Sequence, residues 1–129
     1  MTVSSGLDNA LTATQDQRPD LVLLNTYAPN KSADLYLNPA AFKQPAIGTY
    51  GNLGSRNILG PGRVTIDMGL TRTFQIREGQ SLEFRAEAFN LPNHVNLAPP
   101  NTTLTNADFG KILSAGDPRI MQLALKYVF

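Results

Sequence analysis

The feature that most constrains this chain is a strict alternation of apolar and polar residues, sustained over runs too long for an ordinary soluble strand. From Val64 to Ile76 the even positions are Val64, Ile66, Met68, Leu70, Arg72, Phe74 and Ile76, apolar except for Arg72, and every odd position is small or polar. Successive side chains of an extended strand point to opposite faces, so this run predicts one almost wholly apolar face. After Arg77-Glu78-Gly79-Gln80, Leu82, Phe84, Ala86 and Ala88 alternate with Ser81, Glu83, Arg85 and Glu87. That pattern predicts a hairpin over 64–91 whose short turn uses a glycine at positive φ. Met121, Leu123, Leu125, Tyr127 and Phe129 alternate with Gln122, Ala124, Lys126 and Val128 in a third strand over 119–129.

Soluble strands usually run about five or six residues, whereas a strand tilted across a bilayer needs about 9–11, apolar outward and polar inward. The three runs fit the second solvent. Their connections fit it too, because transmembrane barrels alternate short periplasmic turns with long extracellular loops. The turn at 77–80 is short, and both 92–118 and the region before Val64 are long. The reading is therefore all-β: antiparallel strands with long loops, the last three or four strands of an incomplete transmembrane β-barrel. Residues 5–62 and 92–118 are its extracellular loops, 64–91 its hairpin, 119–129 its C-terminal strand, and residues 2–4 the stub of an earlier strand. Leu70, Phe74, Leu82, Phe84, Met121, Leu123, Leu125, Tyr127 and Phe129 are expected to face lipid. Glu83, Arg85, Glu87, Gln122 and Lys126 are expected to face the lumen, with cross-strand charge pairs among the polar residues.

Composition excludes several alternatives. Eleven Lys+Arg against ten Asp+Glu leave a net charge of +1, which supplies no electrostatic case for nucleic acid. With no cysteine there is no disulfide, thiol nucleophile or thiolate metal site. From Met1 to Pro61 no period is sustained, and Arg18-Pro19, Ala28-Pro29-Asn30, Asn38-Pro39 and Gly60-Pro61-Gly62 punctuate the stretch. A structureless connection of that length is uncommon in a compact domain, so this half is expected to be loop tolerated by a larger architecture, or disordered. Neither a signal peptide nor an apolar run long enough for a transmembrane helix is apparent, which suggests a fragment with its targeting segment upstream, or a cytoplasmic protein.

The closing Met121-Gln122-Leu123-Ala124-Leu125-Lys126-Tyr127-Val128-Phe129 resembles the carboxy-terminal assembly signal of Gram-negative outer-membrane barrels. Further motifs occur in order: Arg18-Pro19-Asp20-Leu21-Val22, Tyr36-Leu37-Asn38-Pro39-Ala40-Ala41-Phe42, Gly48-Thr49-Tyr50-Gly51-Asn52-Leu53-Gly54, Arg56-Asn57, Gly60-Pro61-Gly62, Asp67-Met68-Gly69-Leu70 and Phe84-Arg85-Ala86-Glu87-Ala88-Phe89-Asn90-Leu91-Pro92-Asn93-His94. Together they resemble the last strands of TonB-dependent receptor-like proteins, in the Oar-like group with a carboxypeptidase-regulatory-like amino-terminal domain. The resemblance implies a large barrel in the cell outer membrane, closed by a plug and energised by TonB for uptake of a ligand it does not identify. Its implied partners are outer-membrane lipid, the rest of the parent barrel and the barrel-assembly machinery. Signal sequence, TonB box, plug and most of the barrel are expected outside this segment. Thr71 and Pro92, where relatives often carry an aromatic residue and Phe, depart from the family pattern.

No catalytic, cofactor or metal site can be assembled, so the chain is not expected to be an enzyme. Arg72 interrupts the apolar face, and its long stem is expected to carry the guanidinium to the headgroup region. His94, beside Asn93 and Asn96, reads as a loop residue, because amides are poor metal ligands. Gly48, Gly51 and Gly54 read as turn residues and not a phosphate-binding loop, and Ser4 and Ser5 lack a nucleophile-elbow spacing. Asn30-Lys31-Ser32 and Asn101-Thr102-Thr103 match the glycosylation pattern, which has no consequence in a bacterium. Two other classes compete with the barrel: a soluble β-sheet binding or adhesion module, which needs about seven strands, and a small hydrolase, which needs a triad. Three strands alone would leave two open edges, costing on the order of tens of kcal/mol in hydrocarbon, so the segment expressed alone is expected to aggregate or fold only partly.

Overall fold

A computed structural model describes residues 1–129. The chain is all-β, with five strands and no α-helix: β1 (Asp20–Leu21), β2 (Phe42–Lys43), β3 (Met68–Arg77), β4 (Gln80–Phe89) and β5 (Ile120–Val128). It divides into two compact units, one of Met1–Pro61 with Leu97–Ala115 and one of Gly62–Asn96 with Gly116–Phe129.

The first unit corrects the expectation of structureless loops. Val3, Tyr36, Leu37, Ala41, Phe42, Leu53, Ile58, Phe109 and Ile112 are buried together as one core. These residues follow no helical or strand period, because irregular backbone delivers each of them. β1 and β2 pair over only two positions, Asp20 with Lys43 and Leu21 with Phe42. Asn38 caps the 3-10 turn Pro39–Ala41, its side chain accepting from the Ala40 N–H at 3.1 Å, and the proline occupies a helical position that needs no donor. The N–H groups of Tyr36 and Leu37 both donate to the Gly110 carbonyl, at 2.7 and 3.2 Å, while the Gly110 N–H donates to Asn101. Edge-to-face contacts of Phe42 with Phe109 and of Tyr27 with Tyr36, at 5.4 and 5.8 Å between centroids, complete the packing.

Two details of this unit depart from the sequence reading. Val3 is fully buried and Ser4 forms an isolated parallel bridge to Thr103, so residues 2–4 are no stub of the long-stranded sheet. Gly51 serves close approach and not a turn, since a Cβ there would collide with the backbone carbonyl of Arg18.

In the second unit β3, β4 and β5 form one antiparallel sheet in that order. The expected hairpin is present, and Gly79 in its tight connection has φ +78°. The strands are shorter than the alternation alone predicts. Asn90 takes φ +50°, which ends β4 at Phe89 and removes a continuous partner from 64–67. Across this gap the Leu91 N–H donates to the Ile66 carbonyl at 2.8 Å and the Asn90 N–H to the Asp67 side chain at 2.9 Å.

Replacing Leu37, 0% exposed, by Ala is expected to lower the opening free energy of first-unit amides by about 2–4 kcal/mol, read by native-state hydrogen exchange. Two titrations bracket the same unit. Asp8 is held below its usual range chiefly by the Thr12 N–H, which desolvation opposes and which the Ala13 N–H and the Gln17 amide reinforce. Its contribution is present above the ordinary carboxylate pKa and lost as pH falls through the lowered value. Burial, and secondarily Tyr27, raises the Tyr36 hydroxyl, whose contribution is complete below pH about 10 and lost as pH rises through the raised value. Asp8→Asn should flatten the acid limb and Tyr36→Phe the alkaline limb of the exchange-derived stability profile.

Candidate functional site

Antiparallel register decides which residues share a face of the sheet, because directly paired residues project to the same side. One face carries the rows Met68–Ala88–Met121, Leu70–Ala86–Leu123, Arg72–Phe84–Leu125 and Phe74–Leu82–Tyr127. The other carries Gly69–Glu87–Gln122, Thr71–Arg85–Ala124, Thr73–Glu83–Lys126 and Gln75–Ser81–Val128. The residues assigned from sequence to lipid and to lumen thus fall on opposite faces. Phe129 lies beyond the ladder, its ring stacked near that of Tyr127 at 5.9 Å between centroids.

The apolar face is uncovered. Leu70 is 60% exposed, Leu123 71% and Leu125 68%, and no residue of β3 or β5 is buried. A face this apolar and this exposed is the opposite of what a water-soluble sheet requires.

The polar face brings Glu83, Arg85 and Lys126 together around a shallow hollow of about 280 Å³, with Glu87 and Gln122 paired in the next polar row but one toward Phe89. The ion pair found there differs from the expected cross-strand arrangement. Arg85 pairs with Glu83 along β4 at 3.3 Å, although the register sets Lys126 directly opposite Glu83. The Arg85 side chain is half exposed, so the contact orients side chains more than it stabilises the sheet.

Asparagines close the end of the sheet where β4 stops, a role that the sequence reading missed. The Asn96 side-chain amide accepts from the Val64 N–H at 2.8 Å and donates to the Val64 carbonyl at 2.9 Å. Asn90 does the same for His94, accepting from its N–H at 3.1 Å and donating to its carbonyl at 3.0 Å. Each amide therefore supplies the donor and the acceptor that a backbone partner would. Asn90 also donates to the Asp117 carbonyl, its own N–H donates to Asp67, and the Asn93 side chain accepts from the Arg119 N–H. Asn90 and Asn96 are buried with every side-chain polar atom satisfied. The available signal was the recurrence of asparagine at 90, 93 and 96 directly after the alternation ends, a residue type that tolerates the positive φ which Asn90 and Asn93 adopt. His94 lies in this network through a 3.3 Å contact of Nδ1 with the Asn96 side-chain oxygen, as a loop residue. Arg63, Asp67, Phe89, Asn90, Asn96 and Asp117 border a second hollow of about 340 Å³ at this end.

Compared with known families, residues 1–122 match the outer membrane beta barrel domain. The chain belongs to this family. No curated protein and no solved structure matches the chain. Family membership explains the two-faced sheet of this outer-membrane barrel protein: β3, β4 and β5 are wall strands, and an uncovered apolar face is what a barrel presents to lipid. It also places the polar loops and the asparagine-closed end in an architecture that tolerates long connections between strands.

Asn96→Ala is expected to leave the Val64 N–H and carbonyl without their partner and to destabilise that end of the sheet by about 1–3 kcal/mol. Accelerated hydrogen exchange at Val64, with β4 amides near Gln80 unchanged, is the measurement that checks it.

Proposed function

We propose that this chain forms the wall and external loops at the C-terminal side of a TonB-dependent receptor or transporter of the Oar-like group, with β5 carrying the barrel-assembly signal. The observation that carries the reading is the separation of the two faces. Met121, Leu123, Leu125 and Tyr127 lie in rows with Met68, Leu70, Phe74, Leu82 and Phe84, while Glu83, Arg85, Glu87, Gln122 and Lys126 lie on the reverse side. Lipid covers the first set, and the lumen hydrates the second. The motif order from Arg18-Pro19 to Asn93-His94 supports the finer assignment within the barrel family.

On this reading the partners are outer-membrane lipid, the remaining strands of the parent barrel, the assembly machinery that recognises the alternating C-terminal strand, and TonB acting through an amino-terminal plug. The role is structural and transport-related, without a catalytic centre, cofactor or nucleic acid. The turn at Glu78–Gly79 lies on the periplasmic side, and the long connections before β3 and between β4 and β5 lie outside, where they meet the ligand. A soluble binding module would need a second layer over the apolar rows, and Leu123 and Leu125 remain more than half exposed.

The chain has no cysteine, so single cysteines report each face without background. In the assembled parent barrel, Leu70→Cys and Leu123→Cys should resist a water-soluble maleimide and be quenched by a nitroxide lipid. Thr71→Cys and Ala124→Cys should label readily and escape quenching. Equal labelling of the neighbours Leu123→Cys and Ala124→Cys would overturn the wall assignment.

A further inference from the structure

Every row of the polar face carries a polar or charged side chain except the last. Phe89 and Ile120 pair where β4 stops and β5 begins, and the alternation sets them on the same side as Glu87 and Gln122, so this face ends in an apolar patch. Neither side chain is buried. Both border the hollow of about 340 Å³ at this end, together with Arg63, Asp67 and Asp117. Small-molecule sites usually enclose about 300–1,000 Å³ and combine an apolar surface with a few placed polar groups.

The three charges share the hollow without answering one another. The ion pairs of the chain are Arg85–Glu83 and Lys111–Asp108, so the Arg63 guanidinium neutralises neither carboxylate. Its Nε donates to the Thr65 hydroxyl at 3.5 Å, and its two terminal nitrogens have no protein partner. Asp67 accepts the Asn90 N–H through Oδ1 at 2.9 Å, while its Oδ2 and the Asp117 carboxylate accept nothing from the protein. Two buried asparagines hold this arrangement. Asn90 binds Asp67 through its N–H and the Asp117 carbonyl through its side chain, at 3.1 Å. Asn96 fixes both backbone groups of Val64, which lies between Arg63 and Thr65. A donor fork and two carboxylates are thus positioned in advance around an apolar surface.

From this arrangement we infer that the hollow binds a small zwitterion with an apolar body, the chemistry of an apolar amino acid or short peptide. Arg63 takes the carboxylate, Asp67 and Asp117 take the ammonium, and Phe89 with Ile120 takes the apolar side chain. The inference rests on the lumen-facing assignment proposed above and deepens it by naming the class of ligand. A purely anionic ligand meets two carboxylates, and a purely cationic one meets the guanidinium. Only a molecule that carries both charges answers all three groups.

The test uses the assembled parent barrel, with L-leucyl-L-leucine as the probe and calorimetry as the readout. Saturable binding is expected. Blocking either terminus, as the N-acetyl or the amide derivative, should weaken it about tenfold, the effect of one lost charge-assisted contact. Diglycine keeps both charges without the apolar body and should also bind more weakly. Two variants give a crossed pattern. Arg63→Gln should weaken the free dipeptide and leave the affinity of the amide derivative unchanged, whereas Asp117→Asn should weaken the free dipeptide and leave that of the N-acetyl derivative unchanged. Absence of saturable binding overturns the site, as does an affinity indifferent to both blocks or to both variants. Thr71→Cys and Ala124→Cys in the same barrel provide the separate control. If both label with a water-soluble maleimide and the dipeptide does not bind, the zwitterion site alone is refuted. If they resist labelling, the lumen-facing assignment has failed and the site falls with it.

Discussion

Everything in the second unit depends on the backbone of β4. It is the one long strand whose polar groups are answered on both sides, by β3 through Met68–Arg77 and by β5 through Ile120–Val128. The outer edges of β3 and β5 have no strand beside them. In water such edges are solvated, but in hydrocarbon each unanswered N–H or C=O costs several kcal/mol. A sheet whose side chains select lipid and whose edges cannot tolerate it is stable only as an arc of a closed wall. The side-chain pattern and the backbone requirement therefore point to the same architecture from independent physics.

The first unit satisfies its backbone by other means. Its strands span two residues each, too short for a ladder to organise anything, and its apolar residues meet through turns, caps and single long-range bonds. The pair of bonds from Tyr36 and Leu37 to the Gly110 carbonyl is representative, because one acceptor joins segments distant in sequence and sets Leu37 at the centre of the core. Such a core is apolar inside and wet outside, the reverse of what the sheet of the second unit needs. One chain thus contains two solvent logics, and composition averaged over its whole length conceals both.

This contrast explains what was legible in the residues alone. Alternation over Val64–Ile76 and Met121–Phe129 is a local pattern that each strand carries by itself, so faces, order and the glycine of the turn could be read directly. The core of Val3, Leu37, Ile58 and Phe109 has no local signature, because its members are brought together by folds of the backbone whose geometry no single segment encodes. Strand ends were misread for a related reason: Val64 and Ile66 continue the alternation, yet β4 has already turned away at Asn90. The Arg85–Glu83 contact shows the same limit at the level of side chains, since register allows Glu83 either neighbour and only the rotamers choose.

The asparagines show how the sheet ends without leaving orphaned groups. Backbone that continues past the last pair of a ladder exposes its donors and acceptors, and water or a side chain must answer them. An asparagine amide is the smallest side chain that carries both a donor and an acceptor in the plane a peptide would use, which is why Asn96 can stand opposite Val64 and Asn90 opposite His94. Aspartate would repel the carbonyl and leave it unanswered, and glutamine would have to immobilise another rotatable bond to reach the same geometry. The amides therefore close the ladder while releasing the backbone from strand conformation, and that release is what allows the chain to leave the sheet at Asn90 and the connection to β5 to begin.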